Sequence, residues 1–204
     1  MTLRKYNLVG LTGQTGAGKG VVSSVFKEKG WAVIDADKLA REALAQNSPA
    51  LYGLCAAFGN DIIKEDGSLD RPLLAKRAFS SRENTDTLNA LTHPYILQLV
   101  LKNIEHLVSQ GIKNILYDAP QLIESGSHLL CDHVITVLAK ENIRLERIMK
   151  RDSLSRENAL LRIKAQHEEA FYIENSDTVI ENNGSQEDIK QTAFNLQNDL
   201  KKGE

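Results

Sequence analysis

The chain has 204 residues, 42% of them hydrophobic and 25% charged, with 25 Lys and Arg against 27 Asp and Glu. That length suits one domain with room for an inserted lobe, and a chain of this size removes roughly 70–75% of its unfolded surface from water without a covalent staple. A formal net charge of −2 lacks the basic footprint of a dedicated nucleic-acid binder, and Cys55 and Cys131 belong to no disulfide or zinc motif. No apolar run is long enough for a signal peptide or a bilayer span, so the expectation is a soluble protein of the reducing cytoplasm with no nucleic-acid or membrane partner.

In chain order, residues 6–11 (YNLVGL) read as a short buried strand, and residues 21–29 as a helix stopped by Gly30. Residues 31–34 form a second strand ending at Asp35 and Asp37. Strand, helix and strand within about thirty residues is the unit of a parallel α/β sheet. From about 38 to 110 the pattern is mostly helical, with a turn at Glu65-Asp66-Gly67, which is more than a crossover needs and reads as an inserted lobe. Strand signals return at residues 114–117 (NILY) and 133–138 (HVITVL), followed by charged helices at about 141–152 and 155–171. Residues 178–180 suggest a last strand, and about 186–201 an amphipathic closing helix. The expected fold is α/β, a parallel sheet between helices, and with G-x-x-x-x-G-K at residues 13–19 opening the first helix it is a P-loop NTPase. Its core comprises 1–37, 111–140 and 172–204, with a helical lobe at about 38–110 and a small lid at about 141–171.

The strongest signal is Gly13-Gln14-Thr15-Gly16-Ala17-Gly18-Lys19, placed after a strand and opening a helix. This G-x-x-x-x-G-K spacing lets backbone N–H groups curl around phosphate oxygens while the helix start faces the same anion. Lys19 then reaches the β- and γ-phosphates as a point charge. Gly20 stands where Ser or Thr would place a hydroxyl on Mg²⁺. Either the metal is held through waters and other groups or the loop is catalytically impaired; active adenylate-kinase-like loops carry glycine there, which favours the first.

Asp35 and Asp37 lie where ligands gather in an open parallel sheet, at the carboxyl end of a strand. Asp37 is the candidate to meet an acceptor hydroxyl, and the alternative is that one of the pair caps a helix starting at Lys38. The apolar run 115–117 ends in Asp118, a candidate magnesium ligand, through water. Arg144, Arg147 and Arg151 are spaced to share one helix face, with Arg162 on the next helix; they either close over phosphates or form a solvated face with Glu141 and Glu146. His93-Pro94 reads as a helix start, with His93 structural.

Together these blocks resemble dephospho-CoA kinase, over nearly the whole chain. The resemblance is carried by residues 11–19, 33–37 with Ala40-Arg41, 66–71, 88–94, 118–124, then Arg147, Arg151-Asp152, Ser155, Ala159, Arg162 and Gln166, and finally 177–184. It implies ATP-dependent phosphorylation of the ribose 3′-hydroxyl of dephospho-CoA, with Mg²⁺. It also implies that Asp37 orients or deprotonates that hydroxyl, that Asp35, Arg41 and His93 serve the acceptor side, and that Arg147 and Arg151 are lid arginines. Nucleotide contacts fall to Gly13, Gly16, Ala17, Gly18, Lys19, Gly20 and Val21, with Asn182 and Gly184 bordering adenine. Gln14, Gly20 and Val21 depart from the family's usual glycine, Ser or Thr, and threonine; Gln121 replaces a leucine.

Two other readings compete. A nucleoside monophosphate kinase on the same scaffold would use lobe arginines, and Arg71, Arg77 and Arg82 are present. A guanine-nucleotide switch needs an Asn-Lys-x-Asp base reader, which the chain lacks, while a non-catalytic ATP binder follows from Gly20.

Overall fold

The computed structural model describes residues 5–201. Five parallel strands form one sheet in the order β2-β3-β1-β4-β5: β1 (Asn7–Gly13), β2 (Ala32–Asp35), β3 (Asn114–Asp118), β4 (His133–Leu138) and β5 (Thr178–Glu181). Every residue of the central strand β1 is buried, because a parallel sheet covered on both faces demands apolar or small residues on both.

The helices are α1 (Lys19–Glu28), α2 (Ala36–Ala43), α3 (Pro49–Phe58), α4 (Arg71–Ala78), α5 (Arg82–Ser109), α6 (Glu141–Asp152), α7 (Arg156–Lys164), α8 (Glu169–Glu174) and α9 (Gln186–Leu200). On one side of the sheet α1 and α9 close a core of Val9, Leu11, Phe26, Trp31, Leu116, Ile135, Val137, Ile180 and Ile189. Ser185 and Asp188 form a capping box that starts α9, and the Trp31 indole N–H donates to Gln197 Oε1 at 3.3 Å. A second cluster, Ile123, Leu138 and Tyr172, seats α8 against β4.

The chain divides into two compact units, one running to Asp35 and resuming at His106, the other Ala36–Glu105. The second is helical, built on Leu54, Phe58, Ile62, Leu74 and Ala78, with Leu88 and Leu91 packed against them. Ser48 and Asp70 cap α3 and α4, each followed by a proline in the first turn. The expected turn at Gly67 closes a short bridge between Ile63 and Leu69.

Three local expectations change. Pro94 lies inside α5, twelve residues after its start at Arg82, so His93 is mid-helix and not at a helix start. Proline removes one backbone donor there, but packing of Leu88 and Leu91 in the helical core carries the helix through it. The helix expected from Lys38 begins at Ala36, which puts Asp37 in its first turn, where an acid complements the positive end of the helix. The helix expected over 155–171 is broken into α7 and α8 by a turn at 165–168 that contains neither Gly nor Pro.

Candidate active site

All five strands run the same way, so their carboxyl ends collect at one edge of the sheet, and the phosphate loop leaves β1 there. The loop is shaped by glycines that no other residue replaces. Gly16 has φ +78° and Gly18 φ +106°; a Cβ at Gly16 would meet the Arg144 carbonyl oxygen at 2.8 Å, and one at Gly18 would strike the Asn182 side chain. Helix α1 then starts at Lys19 with no side-chain cap and no acid in its first turn. Among the described residues, the amides of Gly16, Gly18, Lys19 and Gly20 find no protein acceptor. An uncapped helix start behind a ring of free N–H groups is an anion site.

Lys19 Nζ donates to Asp118 Oδ1, and both side chains are mostly shielded from solvent. Asp118 ends β3 and is the register partner of Asp35, which ends β2, so two carboxylates sit on neighbouring strand ends. A hard divalent cation that keeps most of its waters takes one or two carboxylates and completes its shell with phosphate oxygens, and this pair fits that need. The Thr12 hydroxyl is spoken for, donating to the Pro120 carbonyl at 3.2 Å. A Cβ on Gly20 meets nothing within 4 Å, so the missing hydroxyl at that position is not forced by crowding.

The back of the loop is held by side chains from elsewhere in the sheet unit. Asn182, after β5, donates through Nδ2 to the Ala17 carbonyl at 2.7 Å. Arg147, on α6, donates to the carbonyls of Ala17 at 3.2 Å and Gly16 at 3.5 Å, and to Asn182 Oδ1 at 3.5 Å. Their polar groups thus satisfy carbonyls on the far side of the loop from its free amides.

With this geometry in hand, comparison with known proteins is decisive. The sequence profile of dephospho-CoA kinase matches residues 7–188. The chain belongs to the dephospho-CoA kinase family. A dephospho-CoA kinase from Carboxydothermus hydrogenoformans is 40% identical over 189 residues, covering 93% of this chain and 92% of that protein. Among solved structures, one from Thermus thermophilus superposes with a TM-score of 0.81 at 29% identity, covering 98% of this chain and all of that one. The dephospho-CoA kinase from Campylobacter jejuni gives 0.64 at 26% identity, with 98% and 100% covered.

Within this dephospho-CoA kinase frame, the residues singled out in the sequence fall into separate groups. Gly13, Gly16, Ala17, Gly18, Lys19, Gly20 and Val21 form the loop and the helix start; Asp35 and Asp118 flank it, and Asn182 is bonded to it. Gly184 follows in the loop after β5, where a Cβ would press on Asp188 Oδ2 at 2.6 Å. Asp37, Arg41 and His93 lie on the helical unit, on α2 and α5. There Arg71 donates to the Arg41 carbonyl at 3.5 Å.

The arginine stripe splits three ways, so a uniform solvated face does not describe it. Arg144 is buried at 4% exposure with Nε and one terminal nitrogen unpartnered, and desolvation pulls its pKa below the usual arginine value. Arg147 turns inward to the loop. Arg151 is exposed and forms a two-pronged pair with Asp152 at 2.8 Å, and Arg162 joins the same carboxylate. The hydrogen bond from Arg151 is the main cause holding the Asp152 carboxyl below its ordinary range. Sequence reading missed the Lys19–Asp118 pair, the burial of Arg144 and two glutamine contacts described below. Each of these residues had carried a signal of its own, Lys19 in the glycine-rich loop, Asp118 as an acid closing an apolar strand, Arg144 in the stripe and Gln166 in the family resemblance; which of them meet is not a local pattern.

Among the described residues no helix is long and apolar enough to cross a membrane, and neither Cys55 nor Cys131 forms a disulfide.

Proposed function

We propose that this chain transfers the γ-phosphoryl group of ATP to the ribose 3′-hydroxyl of dephospho-CoA, giving coenzyme A and ADP in the cytoplasm. The observation that carries the reading is the uncapped phosphate loop with Lys19 poised on Asp118, in a chain of this family. The free amides of Gly16, Gly18, Lys19 and Gly20 cradle phosphate oxygens, and Lys19 exchanges Asp118 for the β- and γ-phosphates. Asp118, with Asp35 beside it, would hold magnesium, largely through water, and the ion would supply neutralisation of the phosphate charge.

The 3′-hydroxyl is oriented by Asp37, two residues beyond the carboxyl end of β2, where sheets of this kind collect ligands. In phosphoryl transfer, positioning and charge neutralisation outweigh base strength, so the placement of the Asp37 carboxylate is what matters. The helical lobe at about 38–110 receives dephospho-CoA, with Arg41 and His93 on its acceptor side. Of the segment at about 141–171, α6 and α7 form the lid, since α8 is docked on β4, and from it Arg151 leaves Asp152 to meet the transferring group. Asn182 and Gly184 border adenine.

The purified chain with ATP and magnesium should release ADP in response to dephospho-CoA and not to AMP. Stimulation by AMP alone would favour a nucleoside monophosphate kinase, and stimulation by neither would leave an ATP binder. Asp37→Asn should lower kcat by about 10²-fold or more, the scale of a lost proton acceptor, with ATP affinity nearly unchanged. Turnover within a few-fold of the parent would reduce Asp37 to a helix-start acid.

A further inference from the structure

Two glutamines cross between the phosphate loop and the turn joining α7 to α8. Gln166 Oε1 accepts from the Thr15 amide at 2.7 Å, and Gln14 Nε2 donates to the His167 carbonyl at 3.4 Å. The first is a short, well-made bond and the second is long. Gln14 is only 5% exposed, so the crossing is a buried one on the loop side. The Gln166 bond takes the Thr15 amide and leaves those of Gly16, Gly18, Lys19 and Gly20 open to phosphate.

The turn lies at a mechanical boundary. On one side α8 is fixed to the sheet: Tyr172 is fully buried, its hydroxyl donates to Glu124 at 3.2 Å, and Ser176 Oγ, which donates to the Tyr172 carbonyl, pairs with Thr136 Oγ1 of β4 at 2.6 Å. On the other side α6 and α7 pack on each other through a small core of their own, Leu145, Ile148, Ala159 and Ile163. This hairpin is tied to the phosphate loop twice, midway along α6 by Arg147 on the Ala17 carbonyl and just past the end of α7 by Gln166 on the Thr15 amide. The segment between carries Arg151 and Arg162, both exposed and both paired with Asp152.

We propose that Gln166 is a positioning residue, fixing the α7 end of the α6–α7 hairpin on the phosphate loop so that closure delivers Arg151 to the phosphates in one register. The inference rests on the lid reading above. Gln166 acts through Arg151 and touches no reacting atom; Gln14 reinforces it from the loop side.

The test compares Gln166→Met, Gln166→Glu and Arg151→Ala in the full chain, with initial rates over ATP and dephospho-CoA and ligand-free melting temperatures. Gln166→Met keeps the length but removes the acceptor, and should lower kcat about tenfold with the KM for dephospho-CoA within about twofold, since small misplacements of a catalytic group act on the chemical step. Gln166→Glu retains an acceptor oxygen, so kcat should return to within about threefold of the parent while the KM for ATP rises, because a carboxylate now sits near its phosphates. A side chain that merely packs would shift melting temperature in both variants and spare kcat.

Parent-like kcat in Gln166→Met, or equal kcat loss in Met and Glu variants, overturns the proposal. If Arg151→Ala loses kcat and Gln166→Met does not, the lid stands and the glutamine role falls. If Arg151→Ala keeps kcat, the lid reading itself falls and takes the proposal with it. Should Gln166→Met fail to fold, Gln14→Met replaces it: a kcat loss of about threefold or more supports the proposal, and parent-like kcat overturns it.

Discussion

The phosphate loop and the α6–α7 hairpin are near neighbours held by opposite means. The loop is the end of a fully buried central strand, its Ala17 carbonyl is bonded by Asn182, which follows β5, and its glycines sit where a Cβ would collide with neighbours. The hairpin has a four-residue buried core, and its end is laced by Arg151, Arg162 and Asp152 at the surface, where ion pairs contribute little. A nucleotide kinase needs both kinds of construction. A cradle must be pre-formed to receive charge without reorganisation, whereas a cover must open and close within the catalytic cycle and so belongs to the weakly held part of the molecule.

The largest effect should come from the rigid side. Lys19→Ala removes the cradle's cation and should lower kcat by roughly 10³-fold, the scale seen for charge stabilisers of a transition state. It also leaves Asp118 without its partner, but that carboxylate keeps 15% exposure and can be solvated, so the fold should survive, as read by an unchanged far-ultraviolet spectrum. A loss of less than about tenfold would mean that the cation is not where the rate is set.

Next comes stability. Leu11→Ala opens the central core and should cost about 2–5 kcal/mol of global unfolding free energy, measured by urea titration. Ile163→Ala in the hairpin should cost less globally, while hydrogen exchange speeds up in residues 141–164 and leaves β1 protected. If both substitutions lowered global stability alike and exchange rose throughout, the hairpin would belong to the core and the contrast between the two regions would vanish.

The smallest effect is expected at Gly20. A Cβ there enters open space, so Gly20→Ser should keep kcat within a few-fold of the parent and lower the magnesium concentration needed for half-maximal rate. Near-complete loss would show that the loop tightens around nucleotide until only glycine fits.

Much of this molecule was legible along the chain. The glycine spacing before Lys19, the apolar runs at 114–117 and 133–138 and the terminal helix are local patterns, and local patterns are what backbone sterics and hydrophobic periodicity report. The limits of α6 and β4 coincide with the periodic segments. Misreadings occurred where tertiary packing overrode a local signal. Pro94 is a helix-start residue by preference, yet it lies within a 28-residue helix anchored by Leu88 and Leu91. The break at 165–168 has no Gly or Pro to announce it; α8 is set apart by the burial of Tyr172 against β4.

By itself, then, the amino-acid sequence determined that a parallel sheet would carry a phosphate loop, and its ordered motifs pointed to the dephospho-CoA kinase family. Only the tertiary structure decided what each polar side chain does there. Lys19 and Asp118 are 99 residues apart and Thr15 and Gln166 are 151 apart. They meet because the strand order sets β3 beside β1 and because α8 is docked on β4. Three arginines of one helix stripe end up buried, loop-bound and exposed, since helical spacing sets the side of a helix but not which neighbour lies against each turn.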